Sequence, residues 1–593
     1  MDVKDWLSIR RHEVLLRRVI AIVIAFVTVG LVLAAIFYGP GLLVVKGSSA
    51  PLLTQAPLLP PSKAILLENV HQGTTSWQIP PVDEAETEIQ AYASATSAAA
   101  GQQLSFFVST KTEGTDYAID IYRLGWYAGL GGRLMFSLKG LSGQAQGYYD
   151  SDHHKLVDCH ACLIDKTTGL IEANWRPSYA LTIPPDWTTG IYLAKFTDAQ
   201  NKQTYAPFDV RGNYHSRYLA VTPDATYEAY NLWGGYSLYD ADSGSGDLNE
   251  STQIPRAVKV SLDRPYVDWI GSSQVLVFEA DAIHWMERQG YDLSYASDID
   301  LQTDPGQLLN HRAYISLGHD EYWSKEMRDA VENARNNGVG LAFLGANAIF
   351  WQIRLERDSS GVPDRTVVCY KVRTSDNDLA KDPLYRKDNS RVTAQWSDQV
   401  IGRPANELVG IMYTEASWDD YRVHFPSWHV SATANSALLG GFGLEPGQQY
   451  GCDLVGYEWD HVIANGATPA GLQVLGTTEV YSNVNHATTP SNTTYYVALS
   501  GAMVFATGSI FWTFALDNYR LFTDPQCAGR DRVVPGMQKL MAYVMDALVV
   551  PHPAGQQVFE SAAPTQVASV NHSANKQFDF PQLLDRWTRQ EVE

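Results

Sequence analysis

Basic residues are scarce in this chain of 593 residues: 44 Lys and Arg stand against 65 Asp and Glu, for a formal net charge of -21. Such a balance repels phosphate backbones and offers no basic stripe for counterion release, which argues against nucleic acid as a partner. Cysteine is scarce as well, with only Cys159, Cys162, Cys369, Cys452 and Cys527. They allow one or two disulfides in an exported protein, with one thiol left over, but not a fold that depends on them. Cys159-His160-Ala161-Cys162 has no second pair to complete a zinc site and no His after Cys162 as haem attachment requires, so a local disulfide or two idle thiols is expected. There is no fixed-period repeat. Rings are abundant, with 16 Trp and 32 Tyr, and such side chains either line pockets for small molecules or sugars or pack cores.

One uncharged apolar run stands out. Residues 19–38 carry no charge and, at about 1.5 Å per residue, would cover about 30 Å of hydrocarbon. Lys4, Arg10, Arg11, Arg17 and Arg18 precede it, whereas Lys46 alone follows before Lys63. The positive-inside rule then predicts a single-pass plasma-membrane protein, N-terminus cytoplasmic and ectodomain extracellular, with the lipid bilayer as a partner. A cleaved signal peptide is the competing reading, although its apolar core is usually shorter, at about 7–15 residues.

The predicted organisation is a cytoplasmic tail (1–18), a transmembrane helix (19–38), a Pro-rich stalk (39–85), a β-sandwich domain (86–212), an α/β domain (213–560) and a polar tail (561–593). The sandwich is expected because short alternating runs, such as 104–108, 117–122, 179–183 and 191–196, are separated by Gly, Pro and Asp. Beyond Tyr214 strand-like runs alternate with helical periodicity, which argues for a parallel sheet. Val275 to Phe278 reads as a strand, Ala280 to Gln289 as a helix and Asp292 to Ala296 as a strand. Tyr314 to Leu317 reads as the next strand, followed by a helix capped by Ser324 and the strand Gly340 to Leu344. Near the end, Met503 to Ala506 and Ile510 to Phe514 look like strands and Met537 to Val549 like an amphipathic helix.

Gly318-His319-Asp320-Glu321-Tyr322-Trp323 falls between a strand's carboxyl end and a helix, where open α/β sheets place ligand-binding residues. It gathers an imidazole, two carboxylates and a phenol at a cost in desolvation and like-charge repulsion. The plain alternative is that Asp320 and Glu321 are solvated acids favoured by the helix dipole. Asn347, after the next strand, would reach the same crevice as an oxyanion donor or simply satisfy a turn. Cys369 sits in an apolar strand rather than a nucleophile elbow, so a thiol nucleophile is not expected. Arg123, Arg133 and Asp120 look like loop-fixing ion pairs.

Several segments together resemble the N,N-dimethylformamidase large (beta) subunit-like C-terminal domain family. They are Tyr122 to Tyr127 with Gly131 to Leu134, Asp263-Arg264-Pro265-Tyr266, Trp285 to Asp292 with Asp298 and Asp300, Gly318 to Trp323, Phe343 to Asn347, Asp364-Arg365 with Val368 to Lys371, and Gly456 to Asp460. The resemblance implies a glutamine-amidotransferase-like, mostly parallel sheet domain preceded by an immunoglobulin-like β-sandwich. It also implies a mononuclear iron (Fe3+) held by two tyrosines and a glutamate, acting on a small-molecule amide. Carried over by motif, the expected metal ligands are Tyr322, Tyr370 and Glu458, with Tyr457 and Tyr314 as phenols that spacing does not separate from them. His319, Asp320 or Glu321 would move the proton and Asn347 would support the catalytic set. A homo-oligomer or a small partner subunit is the implied assembly. A non-catalytic surface protein that binds glycans or envelope polymers, its metal site vestigial, is the alternative.

Overall fold

Alternating apolar residues between 89 and 210 build two facing sheets, because every second side chain of a strand points to the same side. The computed structural model describes residues 63–212, 216–240, 255–417, 425–519, 527, 533–555 and 558. One sheet has three strands, in the order Ile89–Ala93, Gln103–Thr110, Tyr179–Thr182; the other has five, in the order Ser97–Ala98, Gln203–Val210, Gly190–Asp198, Asp116–Leu124, Gly132–Ser142. Leu104, Phe106 and Val108 of the first meet Ile119, Ile121, Phe196 and Phe208 of the second in a shared core, which is the packing of a β-sandwich.

A seven-stranded sheet follows, in the order Leu293–Ser297, Tyr218–Thr222, Ala313–Leu317, Gly340–Leu344, Met503–Ala506, Ala487–Val497, Gln473–Ser482. Its first five strands are parallel and its last two antiparallel. Both faces are covered, which is why Gly340–Leu344 is apolar and buried throughout. Leu341 and Phe343 pack with Met327, Ala330 and Val331 of helix Lys325–Asn336, whereas Ala342 and Leu344 pack with Met537, Leu540 and Met541 of helix Pro535–Leu548. Ser324 caps the first of these helices, its hydroxyl accepting from Met327 N.

The expected fold class needs correction. Strand outweighs helix, and many small sheets take the place of regular strand–helix alternation. A four-stranded sheet of Lys259–Ser261, Thr366–Val368, Trp351–Glu356 and Tyr322–Ser324, with two-stranded pairs such as Met412–Ala416 with Glu458–His461, fills much of the region predicted to be mostly parallel α/β. Val275–Glu279 is a π-helical turn running into helix Ala280–Gln289, and Ile510–Ala515 is a 3-10 helix; neither is the predicted strand. Short apolar runs buried on all sides carry no period that separates strand from helix. Among the described residues no helix is long and apolar enough to cross a membrane. The predicted span 19–38, the tail before it and the polar tail 561–593 lie outside the described residues. The single-pass plasma-membrane placement, with its extracellular ectodomain and bilayer partner, is corrected accordingly, since the described helices supply no span.

Disulfides join Cys159 to Cys162 and Cys452 to Cys527, and Cys369 is a buried free thiol. Arg123 of the sandwich reaches Glu287 on helix Ala280–Gln289 at 2.6 Å with both side chains fully buried, while Arg133 pairs with Glu68 at 2.7 Å.

Candidate active site

Strands Tyr218–Thr222, Ala313–Leu317 and Gly340–Leu344 are parallel neighbours, so their carboxyl ends share one edge, and the loops leaving them converge there. The loop after Leu317 is held rigidly. Asp320 turns under it, accepting from Ser316 Oγ and Trp323 Nε1, each at 2.6 Å. The backbone N–H groups of Glu321 and Tyr322 both donate to Thr226 Oγ1, at 3.0 and 3.2 Å. Gly318 has φ +56, and a Cβ there would come within 2.5 Å of Glu279 Oε1, so the turn demands glycine. These restraints leave His319 and Glu321 facing the crevice.

Two phenols from the segment after Thr222 meet Glu321: Tyr230, at the end of helix Asp224–Tyr230, and Tyr239 beyond it. The Tyr230 hydroxyl donates to Glu321 Oε2 at 2.7 Å, and the Tyr239 hydroxyl lies 2.8 and 2.9 Å from Oε1 and Oε2. The two hydroxyls are 3.0 Å apart, and their rings stack at 4.4 Å. His319 Nε2 lies 3.5 Å from Glu321 Oε2 and 3.1 Å from Glu458 Oε2. Asn347, at φ +55, donates from Nδ2 to Glu458 Oε2 at 3.1 Å, and its backbone N–H donates to Asp460 Oδ1 at 2.8 Å. The Lys371 ammonium sits 3.1 Å from the centroid of the Tyr239 ring, a cation–π contact.

The electrostatics follow from burial. His319, Glu321 and Glu458 are at most 1 % exposed. Burial raises Glu321 above the usual carboxylate range, against the opposing pull of His319. Burial disfavours charge on His319, but Glu458, Glu321 and Asp320 outweigh it and raise its affinity for a proton. Burial brings Lys371 down to about 7 and Asp460 up to about 7.

Of the residues singled out from sequence, His319, Glu321, Asn347 and Glu458 come together. Asp320 lies at the same turn but anchors it from beneath. Tyr322 is buried beside the cluster, its ring 6.3 Å from that of Tyr239. Tyr370 is elsewhere: it packs with Val372, Val392 and Ala394, its ring 5.9 Å from the Arg354 guanidinium. Tyr314 is a core phenol near Asp320, and Tyr457 presents its ring edge to His319 at 6.4 Å. Burial raises the Cys369 thiol to about 11, which removes it as a nucleophile. Tyr230 and Tyr239 escaped the reading of motifs. The signal for them was topological: they follow the strand that pairs directly with Ala313–Leu317, the strand whose following loop carries His319.

A family described as N,N-dimethylformamidase beta subunit-like, C-terminal, matches residues 118–528. The chain belongs to this family. Two curated relatives carry the name N,N-dimethylformamidase beta subunit. That of Alcaligenes sp. is 21 % identical over 410 residues, 58 % of this chain and 52 % of the relative. That of Paracoccus aminophilus is 21 % identical over 416 residues, 59 % and 53 % respectively. The chain therefore aligns with about half the length of each. A solved cycloisomaltooligosaccharide glucanotransferase from Paenibacillus sp. matches 40 % of this chain and 27 % of its own at 12 % identity and a TM-score of 0.13, too little to inform fold or function. The dimethylformamidase-like chain thus carries its convergent phenols, carboxylates and imidazole inside the matched region.

Proposed function

We propose that this N,N-dimethylformamidase-like chain is an amide hydrolase whose ferric iron is held by Tyr230, Tyr239 and Glu321. The observation that carries the reading is the convergence of two phenol oxygens on one buried carboxylate at 2.7–2.9 Å, the hydroxyls themselves 3.0 Å apart. These are hard oxygen donors, which suit ferric iron, and they form the two-tyrosine, one-glutamate set that the family resemblance implies. Tyr370 does not fit that set, because its ring belongs to a separate apolar cluster. Glu458 fits better as the partner of His319 than as a ligand, since its Oε2 contacts the imidazole and Asn347.

When bound, the iron would polarise the amide carbonyl and acidify an attacking water. His319, which faces the crevice with Glu458 Oε2 3.1 Å from its Nε2, takes the proton of that water as its oxygen bonds to the carbonyl carbon. Glu458 stabilises the imidazolium, and Asn347 keeps Glu458 in place. The imidazolium then returns the proton to the amide nitrogen as the C–N bond breaks, so the amine leaves neutral. The relatives are beta subunits by name, which supports a small partner subunit for this chain as well.

Metal analysis, the visible absorption spectrum and hydrolysis of N,N-dimethylformamide by the purified full chain test this together. The expected result is bound iron with a phenolate charge-transfer band, both lost in Tyr239→Phe and Glu321→Gln along with amine release. A colourless, iron-free chain that hydrolyses the amide at full rate would sink the reading.

A further inference from the structure

Tyr322 carries a fully buried phenol whose hydroxyl meets hydrogen-bond geometry with no group among the described residues. An unsatisfied buried hydroxyl carries an uncompensated desolvation cost that phenylalanine would not incur. Its surroundings suggest what it serves. The ring stands edge-on to those of Tyr239, at 6.3 Å and 90°, and Tyr230, at 6.4 Å and 86°. The Tyr322 and Tyr239 hydroxyls interact, but too loosely to satisfy hydrogen-bond geometry. The Tyr322 backbone N–H is pinned to Thr226 Oγ1, and the Lys371 ammonium lies 5.4 Å from its ring centroid.

The Tyr239 hydroxyl donates to Glu321. As a metal ligand Tyr239 would be a phenolate, its proton lost, and would accept hydrogen bonds about twice as strongly as a neutral phenol. Beside it the Tyr322 hydroxyl is a buried donor that meets hydrogen-bond geometry with no described residue. We propose that Tyr322 is a positioning residue: it donates a hydrogen bond to the Tyr239 phenolate oxygen and so fixes the orientation and electron-donating strength of that metal ligand. Outer hydrogen bonds of this kind hold first-contact ligands in place at metal centres generally. The proposal rests on the reading of Tyr230, Tyr239 and Glu321 as ligands, and it differs from the expectation that Tyr322 itself binds the metal.

The test is Tyr322→Phe in the full chain loaded with ferric iron. Removing the donor makes the phenolate more electron-rich, so the iron stoichiometry should stay the same while the charge-transfer band moves to longer wavelength. In the unaltered protein, the phenolate C–O stretch seen by resonance Raman should shift in D2O, a measurement that needs no variant. Loss of iron in Tyr322→Phe would make Tyr322 a ligand and overturn the proposal; an unmoved band and a D2O-insensitive stretch would overturn it as well. Tyr239→Phe separates the two levels. If that variant keeps iron and band, the ligand reading fails and this proposal with it; if it loses them while Tyr322→Phe leaves the band unmoved, only this proposal fails.

Discussion

The seam between the sandwich and the large sheet and the crevice at the sheet's edge both bury charge, but they treat it differently. At the seam, Arg123 gives both ends of its guanidinium to Glu287, at 2.6 and 2.9 Å, and its remaining donors to Thr189 O, Leu124 O and the Tyr127 hydroxyl. In the crevice, both ring nitrogens of His319, the Tyr322 hydroxyl and Asn347 Oδ1 are buried without hydrogen-bond geometry to any described residue. A saturated network holds two layers in register, whereas an unsaturated one retains capacity for a ligand. The difference separates charge that serves the fold from charge available for chemistry.

Arg123→Met strikes the seam hardest. It strands Glu287 in a fully buried site, and breaking a buried pair from one side typically costs about 3–5 kcal/mol. Urea unfolding should show that loss, and Arg123→Met combined with Glu287→Leu should recover much of it because no lone charge remains. Equal instability in the single and double variants would mean that the seam is held by packing rather than by the pair.

Glu279 tests the crevice side through pH. Burial pushes its carboxyl up to about 8, with Asp224 and Asp320 adding to the shift, while its hydrogen bond from Tyr227 at 2.6 Å works the other way. The folded chain therefore keeps a proton that the unfolded chain releases above its ordinary range, and this group's contribution to stability falls as pH rises from about 4.5 to about 8. The slope is at most about 1.4 kcal/mol per pH unit. Glu279→Gln should flatten the fall between pH 5 and pH 8 in thermal unfolding. The same slope in variant and parent would show that Glu279 does not carry it.

The parts of this comparison that could be read from sequence are the local ones. Alternation marked the sandwich strands, and the apolar runs 314–317 and 340–344 gave the parallel strands whose ends frame the crevice. His319 and Glu321 were legible because their turn follows such a strand directly. Tyr230 and Tyr239 were not, because their relevance depends on which strand lies beside Ala313–Leu317, a matter of sheet order rather than sequence distance. The span 275–279 was misread for a different reason: a run buried at every position gives the same apolar signature in a strand and in a π-helical turn.

Tyr370 and Lys371 set the smallest expected effect against the clearest failure of spacing. The two are adjacent, yet Lys371 reaches the Tyr239 ring while Tyr370 turns towards Val372 and Val392. Motif matching located the segment but could not say which of two neighbouring side chains faces the crevice. Tyr370→Phe removes one hydroxyl from a half-buried ring away from Glu321, so stability should move by no more than about 0.5 kcal/mol. Iron content, band position and amide hydrolysis should match the parent. If Tyr370→Phe instead bleached the protein, the metal would lie on the other side of this segment, and the unsaturated groups around His319 would need a different explanation.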